Sequence, residues 1–246
     1  MKQRWTDYAI LASASVLLWQ AAYYFAGSEA IAPPIETVRR LGVLMDGARF
    51  WGHARATGVA FVYAGTLALA GGLVLGIAIG ASRTAHEILT PILSTLYSIP
   101  KIMLYPVILL VFGLGLSAKV AFGAMHGFFP VALFAIGAIR NIPPVLLRTA
   151  RVMRLSRLDL VRNILLPAAL PEIVTGLRIG FSATLLGTLM GELFASSEGL
   201  GFLLIRAMDI HNVPDIMALT LLLFLVATAA NILILAVERR VHSHGT

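Results

Sequence analysis

Residues 146–173 read LLRTARVMRLSRLDLVRNILLPAALPEI. Arg148, Arg151, Arg154, Arg157 and Arg162 are set here among leucines, and the stretch lies between two long apolar runs. A soluble loop has no use for so much leucine. A membrane-crossing helix does not carry so much arginine, because each one costs about 2.5–3.5 kcal/mol near the bilayer centre. The stretch is therefore expected to lie beside a membrane, largely as helix. Pro143 and Pro144 stop what precedes them and can start a new helix. Leu146–Leu160 has a good helical pattern, and Arg148, Arg151, Arg154 and Arg157 step along it by three, a strip winding slowly round the surface. Leu147, Leu155 and Leu158 offer apolar contact. Pro167 and Pro171 are expected to bracket a break before the next apolar run.

Composition supports the membrane setting. The 246 residues are 59% hydrophobic and 13% charged, with a mean hydropathy of +0.88. Ordinary soluble domains are about a quarter charged. The length suits one all-α domain, residues 1–246, with about six helical crossings and short loops. No cysteine is present, which excludes disulfide frameworks and thiolate metal sites. The net charge of +7 has a simpler use than nucleic-acid binding, namely setting orientation. The N-terminal apolar stretch is long and lacks a clean small-residue cleavage site, so it is expected to be an uncleaved first crossing.

Uncharged runs place the crossings at 8–26, 56–81, 88–112, 118–139, 172–194 and 216–237, the third containing Lys101. Gly71, Gly72, Gly76 and Gly80 recur along one side of the second, a spacing that suits close packing against another helix. With six crossings both ends lie on one side. That side carries Lys2, Arg4, Arg83, Arg140, Arg148, Arg151, Arg154, Arg157, Arg162, Arg178, Arg239 and Arg240. The other carries Arg39, Arg40, Arg49, Arg55, Lys119 and Arg206. The bias puts the termini and loop 140–171 in the cytoplasm. Within outer loop 27–55, PPIETVRRLGVLMDGARFW suits an amphipathic helix on the outer surface.

The cytoplasmic loop ends in Ile164-Leu165-Leu166-Pro167, and there the chain resembles the permeases of ATP-binding-cassette importers. These are the binding-protein-dependent inner-membrane components, and the nearest branch is the nitrate, sulfonate and taurine group. The loop pattern of that family is Glu-Ala-Ala, three residues, Gly, nine residues, Ile-x-Leu-Pro. Its Glu falls on Arg148, its alanines on Thr149 and Ala150, and its Gly on Arg154, so spacing and ending match while Glu, the first Ala and Gly do not. SIPKIMLYPVILLVFGLG at 98–115, HGFFPVALFAIGAIRNIPP at 126–144 and GELFASSEGLGFLL at 191–204 also carry the likeness. It covers roughly 33–238.

The resemblance implies a type I importer transmembrane domain with its core at 56–238. Two permease copies, a homodimer on this reading, would form the solute pathway in the inner membrane. Two ATPase subunits would grip the loop helix, roughly Pro144–Asp159, through Arg148, Thr149, Ala150, Arg151, Met153, Arg154, Leu155, Ser156 and Asp159. A periplasmic or lipid-anchored binding protein would deliver a small, anionic solute of the nitrate, sulfonate or taurine kind. Alternatives are a vitamin precursor or an aromatic carboxylate. ATP and Mg would be bound by the partner, with no cofactor in this chain.

Polar groups within the crossings are the pathway candidates. Lys101 follows Ser98 and Pro100, in a segment where Pro100 and Pro106 free backbone groups. It is either a cationic lining for an anion or a lysine that snorkels or pairs structurally. His126 is a second candidate, with packing as the alternative. Glu192, near the outer end of the fifth crossing, is an outer gate contact or an interfacial carboxylate. Tyr105 and Phe129, with Tyr97 and Phe128, line the pathway or simply pack.

Other functions lack their signatures. There is no phosphate-binding loop, no His-Glu-x-x-His and no Gly-x-Ser-x-Gly elbow, so the chain is expected not to be an enzyme. An autonomous secondary transporter would need inverted repeats or coupled intramembrane carboxylates. His242 and His244 stand in the polar tail and are not taken as a metal site.

Overall fold

The fold comes from a computed structural model. It describes residues 2–194 and 196–243, except the side chains of 2–5, 8, 9, 157 and 237–243. Lys2, Arg4, Arg157, Arg239, Arg240 and His242 fall among those side chains, and His244 lies outside the described residues.

Three helices form the centre: α3 (Ala48–Ala81), α6 (Leu116–Arg140) and α9 (Leu166–Phe194). Each packs on the other two. Lipid tails are as apolar as leucine, so association depends on close backbone approach and dispersion. A Cβ built on Gly72 would stand 2.8 Å from the Phe128 carbonyl oxygen and from the Val131 Cβ, both on α6. Gly76 and Gly80 meet Ala132 and Ile136 further along the same helix. The glycine face expected from the sequence is therefore packed on protein, with α3 and α6 parallel. α9 runs the opposite way, its Gly180 and Gly176 meeting Val131 and Phe134.

Around this core lie α1 (Lys2–Ala26), α2 (Pro34–Met45), α4 (Arg83–Ser98), α5 (Tyr105–Phe112), α7 (Pro144–Val152), α8 (Arg157–Leu160), α10 (Leu200–Asp209) and α11 (Val213–Ser243). α2 is the expected amphipathic helix, but it does not lie free on a surface. Its Thr37 is fully buried, and its Arg40 clasps Asp215 in the first turn of α11 through two hydrogen bonds. The hydrogen bond to that carboxylate raises the Arg40 pKa further above its ordinary value.

Among the described residues, four helices are long and apolar enough to cross a membrane: Ala48–Ala81, Leu116–Arg140, Leu158–Phe194 and Val213–Ala236. The first expected crossing appears as the shorter apolar stretch Ile10–Ala26. The third, expected as one helix over 88–112, is broken. Arg83–Ser98 and Lys101–Phe112 meet at 87°. Ile99 precedes a proline, which disfavours helical geometry, and it is extended at φ −65°, ψ 131°. Pro106 frees nothing inside a helix, because it sits in the first turn of α5, where its missing N–H has no partner to lose.

A second correction concerns the fifth crossing. Pro167 and Pro171 do not bracket a break, since both lie within α9. The ladder instead widens ahead of Pro167 into a π-helical turn, Val161–Leu165, and the Leu166 N–H bonds back to the Val161 carbonyl. Such a turn accommodates a residue that cannot donate without ending the helix.

Gly72→Leu is expected to push α3 from α6 and destabilise the detergent-solubilised protein by more than the roughly 1–3 kcal/mol of ordinary overpacking. Gly58→Leu, facing open space, should leave the melting temperature within the range of surface substitutions. Thermal unfolding of the two variants side by side checks this.

Candidate functional site

Two polar assemblies sit at opposite ends of the three central helices. The first is the Arg-rich loop between α6 and α9. The second is a buried cluster where α3 and α6 begin and α9 ends.

The loop is not one helix from Leu146 to Leu160. α7 stops at Val152, and Arg154 adopts φ +49°, in the left-handed region. The Arg154 N–H bonds to the Arg151 carbonyl and the Leu155 N–H to the Ala150 carbonyl, both at 3.1 Å. These two bonds form a Schellman ending, which satisfies carbonyls a helix end leaves open. The position normally takes glycine, because a Cβ there costs about 1–2 kcal/mol. The aligned family glycine falls on this residue, so the turn is made although the glycine is not present. α8 then restarts. The Ser156 hydroxyl accepts from the Asp159 N–H at 3.2 Å and donates to its carboxylate at 2.6 Å.

This break turns apolar groups outward. Val152 is 84% exposed, Leu158 74% and Met153 64%. Arg148, Thr149, Arg151, Arg154, Ser156 and Asp159 are also exposed, whereas Ala150 is buried and Leu155 half-buried. Ala150 therefore offers no contact surface, and Val152, which the Leu146–Leu160 pattern did not single out, offers the most. At the root of the loop, Asn141 Nδ2 donates to the Glu172 carboxylate at 3.3 and 3.4 Å, tying the end of α6 to the start of α9.

At the other end, Lys119 and Glu192 are both fully buried. Lys119, counted among the outer-side charges, lies inside the bundle and is no free surface charge. Its ammonium donates to the Glu198 carbonyl oxygen at 3.0 Å and stands 3.9 Å from a carboxylate oxygen of Glu192 and of Glu198. Glu192 accepts from the Thr57 hydroxyl at 2.8 and 2.9 Å and from the Gly201 N–H at 3.0 Å. The same Thr57 oxygen accepts the Leu200 N–H at 2.8 Å, and His53 Nδ1 accepts the Gly199 N–H at 3.0 Å. The first N–H groups of α10 are thus shared among three core side chains, with a carboxylate at the positive end of the helix. Gly199 takes φ +122°, and any Cβ there would strike the Glu192 carboxylate. Glu192 is accordingly a packed-in hydrogen-bond hub and not an interfacial carboxylate open to water.

The remaining pathway candidates separate into two groups. Lys101 sits at the bend of the broken span, donates to the Tyr97 carbonyl oxygen at 2.9 Å, and lies 4.3 Å from the Tyr97 ring and 5.7 Å from that of Phe129. It closes the frayed end of α4 while staying half-exposed. Tyr105 is buried, donates to the Gly191 carbonyl oxygen at 2.7 Å and packs edge-on against Phe122, which in turn meets His126. His126 Nδ1 is 2.9 Å from the Phe122 carbonyl oxygen. Tyr105 and the half-buried His126 thus pack on Phe122, whereas Tyr97, Lys101 and Phe129 form one accessible cationic and aromatic group. Ser94, Thr95 and Ser98 add exposed hydroxyls beside it.

Residues 72–243 match the binding-protein-dependent transport system inner membrane component family. The chain belongs to this family. It is 30% identical to the taurine transport system permease of Escherichia coli over 85% of this chain and 78% of that one. It is 31% identical to the riboflavin transport system permease of Chloroflexus aurantiacus over 91% and 84%. Its fold is that of a chain of the MetNI methionine ABC transporter, solved inward-facing. The TM-score is 0.65 at 22% identity, covering 78% of this chain and 96% of that one. The protein is thus a multi-pass inner-membrane permease of the ABC importer class, part of a system with ATPase and permease subunits.

Arg154→Gly should relieve the left-handed backbone and raise stability by about 1 kcal/mol, whereas Arg154→Val should lower it. Melting curves of the two purified variants check the sign of each.

Proposed function

We propose that two copies of this permease enclose a pathway for a small anionic solute. ATPase subunits on the cytoplasmic face grip loop 140–171, and an external binding protein delivers the solute. The observation carrying this reading is the loop itself. Val152, Met153 and Leu158 are exposed, with Arg148, Arg151 and Arg154 exposed beside them in the chain, on the segment that joins the two core helices α6 and α9. A headgroup-binding loop needs the arginines but gains nothing from a fixed Schellman turn that holds three large apolar side chains out. A rigid knob suits a protein groove.

Power on this reading comes from the partner, which binds ATP and Mg. Closure of two ATPase subunits would pull both knobs, and the α6–α9 pair would follow as two-state elements. The termini share the cytoplasmic side with the loop. Lys101, with Tyr97, Phe129 and the hydroxyls of α4, supplies the cationic lining at the bend, which favours an anionic group such as a sulfonate, the one zwitterionic taurine carries included, or nitrate. The riboflavin relative supports the vitamin-type alternative. A secondary transporter acting alone would need carboxylates free to exchange protons or ions, and Glu192 is committed to its hydrogen bonds.

Val152→Asp combined with Leu158→Asp should abolish copurification of the ATPase and ATP-driven uptake into proteoliposomes of the reconstituted complex. Arg148→Glu with Arg151→Glu should weaken assembly, and more so as salt rises. Coupled uptake surviving the apolar pair of substitutions would overturn the docking role. Uptake of radiolabelled taurine and nitrate, each with the binding protein present, tests the solute class.

A further inference from the structure

α6 and α9 are joined twice. At one end loop 141–157 connects them, and Asn141 bonds Glu172. At the other end Lys119 of α6 faces Glu192 of α9 at 3.9 Å, with both side chains fully buried. Gly191 makes this possible, since a Cβ on it would already stand 3.3 Å from the Lys119 Cα.

A buried ion pair is a poor way to add stability. Desolvating two charges offsets most of their attraction, and apolar side chains of similar size usually serve as well or better. The pair itself, at 3.9 Å, is attraction without a hydrogen bond; direction comes from the 3.0 Å bonds that Lys119 and Glu192 each make to the segment after α9, which hold that segment where apolar packing would allow sliding. Lys119 is placed to use this. It faces Glu192 in the core while donating to the backbone carbonyl of Glu198 in the turn between α9 and α10. Glu192 reaches the same segment through the Gly201 N–H, and Thr57 reaches it through the Leu200 N–H. The turn therefore has little freedom independent of the central helices.

We infer that Lys119 is a positioning residue that closes α6 and α9 into one rigid frame, so that a displacement of loop 141–157 reappears at the turn 196–199 at the far end. The inference rests on the reading that ATP moves the loop. The turn is the frame's far output, and it presents Ser197 and Glu198 to the surface. A partner seated there would sense, or impose, the state of the loop without contacting it.

The chain has no cysteine, so single reporters can be placed cleanly. Val145→Cys marks the loop and Ser197→Cys the turn, each spin-labelled in the complete complex with its ATPase and compared nucleotide-free and trapped with ATP and vanadate. In the otherwise unsubstituted complex both labels should change environment. In Lys119→Met/Glu192→Gln, which removes both charges together and leaves no lone buried ion, the Val145 response and ATP hydrolysis should persist. The Ser197 response should fall about five-fold or more, the low end of coupling between distant sites. Lys119→Arg, keeping the cation, should restore it. Lys119→Gln keeps a donor for the Glu198 carbonyl without the charge, and it provides the same comparison should the double variant fail to assemble. A Ser197 response undiminished in either charge-removing variant would overturn the frame, whatever the loss in melting temperature. A Val145 label silent to ATP in the unsubstituted complex would instead remove the coupling reading, and the frame's role with it.

Discussion

Three helices in this permease lie closer together than ordinary side chains allow, and the rest of the molecule depends on that approach. Lipid provides no hydrophobic drive between apolar helices, so contact must come from surfaces smooth enough to meet backbone to backbone. The glycines of α3 and α9 supply them on both sides of α6. Once the backbones are this near, hydroxyls and charges at the helix ends have no room for water and must satisfy one another. Thr184 and Thr188, fully buried in α9, do so locally by donating to the Gly180 and Thr184 carbonyl oxygens at 2.8 and 2.9 Å. Thr57, Lys119 and Glu192 do so across helices. The polar cluster is thus a consequence of the packing before it is a device of its own.

The two ends of the core solve the same problem differently. At the loop end, chain connectivity holds α6 and α9 together, and the polar groups are free to face outward. At the far end no connection exists between them, and charge stands in for covalent linkage. Beside this core the broken span of α4 and α5 is held lightly. Met103 and Leu110 are 71% and 87% exposed along it, and of the residues of α4 and α5 only Leu93 and Tyr105 are buried. An element held this lightly beside a stiff core suits a place where a pathway has to change shape.

How far the sequence disclosed this depends on whether a feature leaves a local pattern. Hydropathy located the long crossings, and glycine spacing located the packed face, because both are properties of neighbouring residues. Lys119 was misplaced because it stands at the first turn of α6, where a charge count cannot distinguish a headgroup lysine from one tucked inward towards Glu192, 73 positions later. The contacts that decide its position are an ion pair with α9 and a hydrogen bond to the turn after it. The dipeptide Ile99-Pro100 did carry a break signal, but the long and largely apolar run on both sides of it reads as one crossing. Pro167 sent a break signal that the structure does not use, because a π-turn upstream absorbed the missing donor. Proline reports a lost hydrogen bond and says nothing about how neighbouring turns make up for it.

Arg154 carries the last step. Left-handed backbone is ordinarily given to glycine, and nothing in the local hydrogen bonding requires an arginine there: the Schellman pair is made entirely by main-chain groups. Arg154 is exposed, and on the proposed docking reading its charge is available to a partner. Arg148 stands where the family pattern has a carboxylate, and it too is exposed. Both departures alter the charge of one surface in the same direction while leaving its shape intact. On the proposed docking reading, a partner groove fitted to this loop would carry more negative charge than one fitted to the family pattern, and an ATPase matched to glutamate and glycine at those positions would meet the wrong electrostatics. Apolar contact would then hold the loop, and charge would select the subunit that grips it.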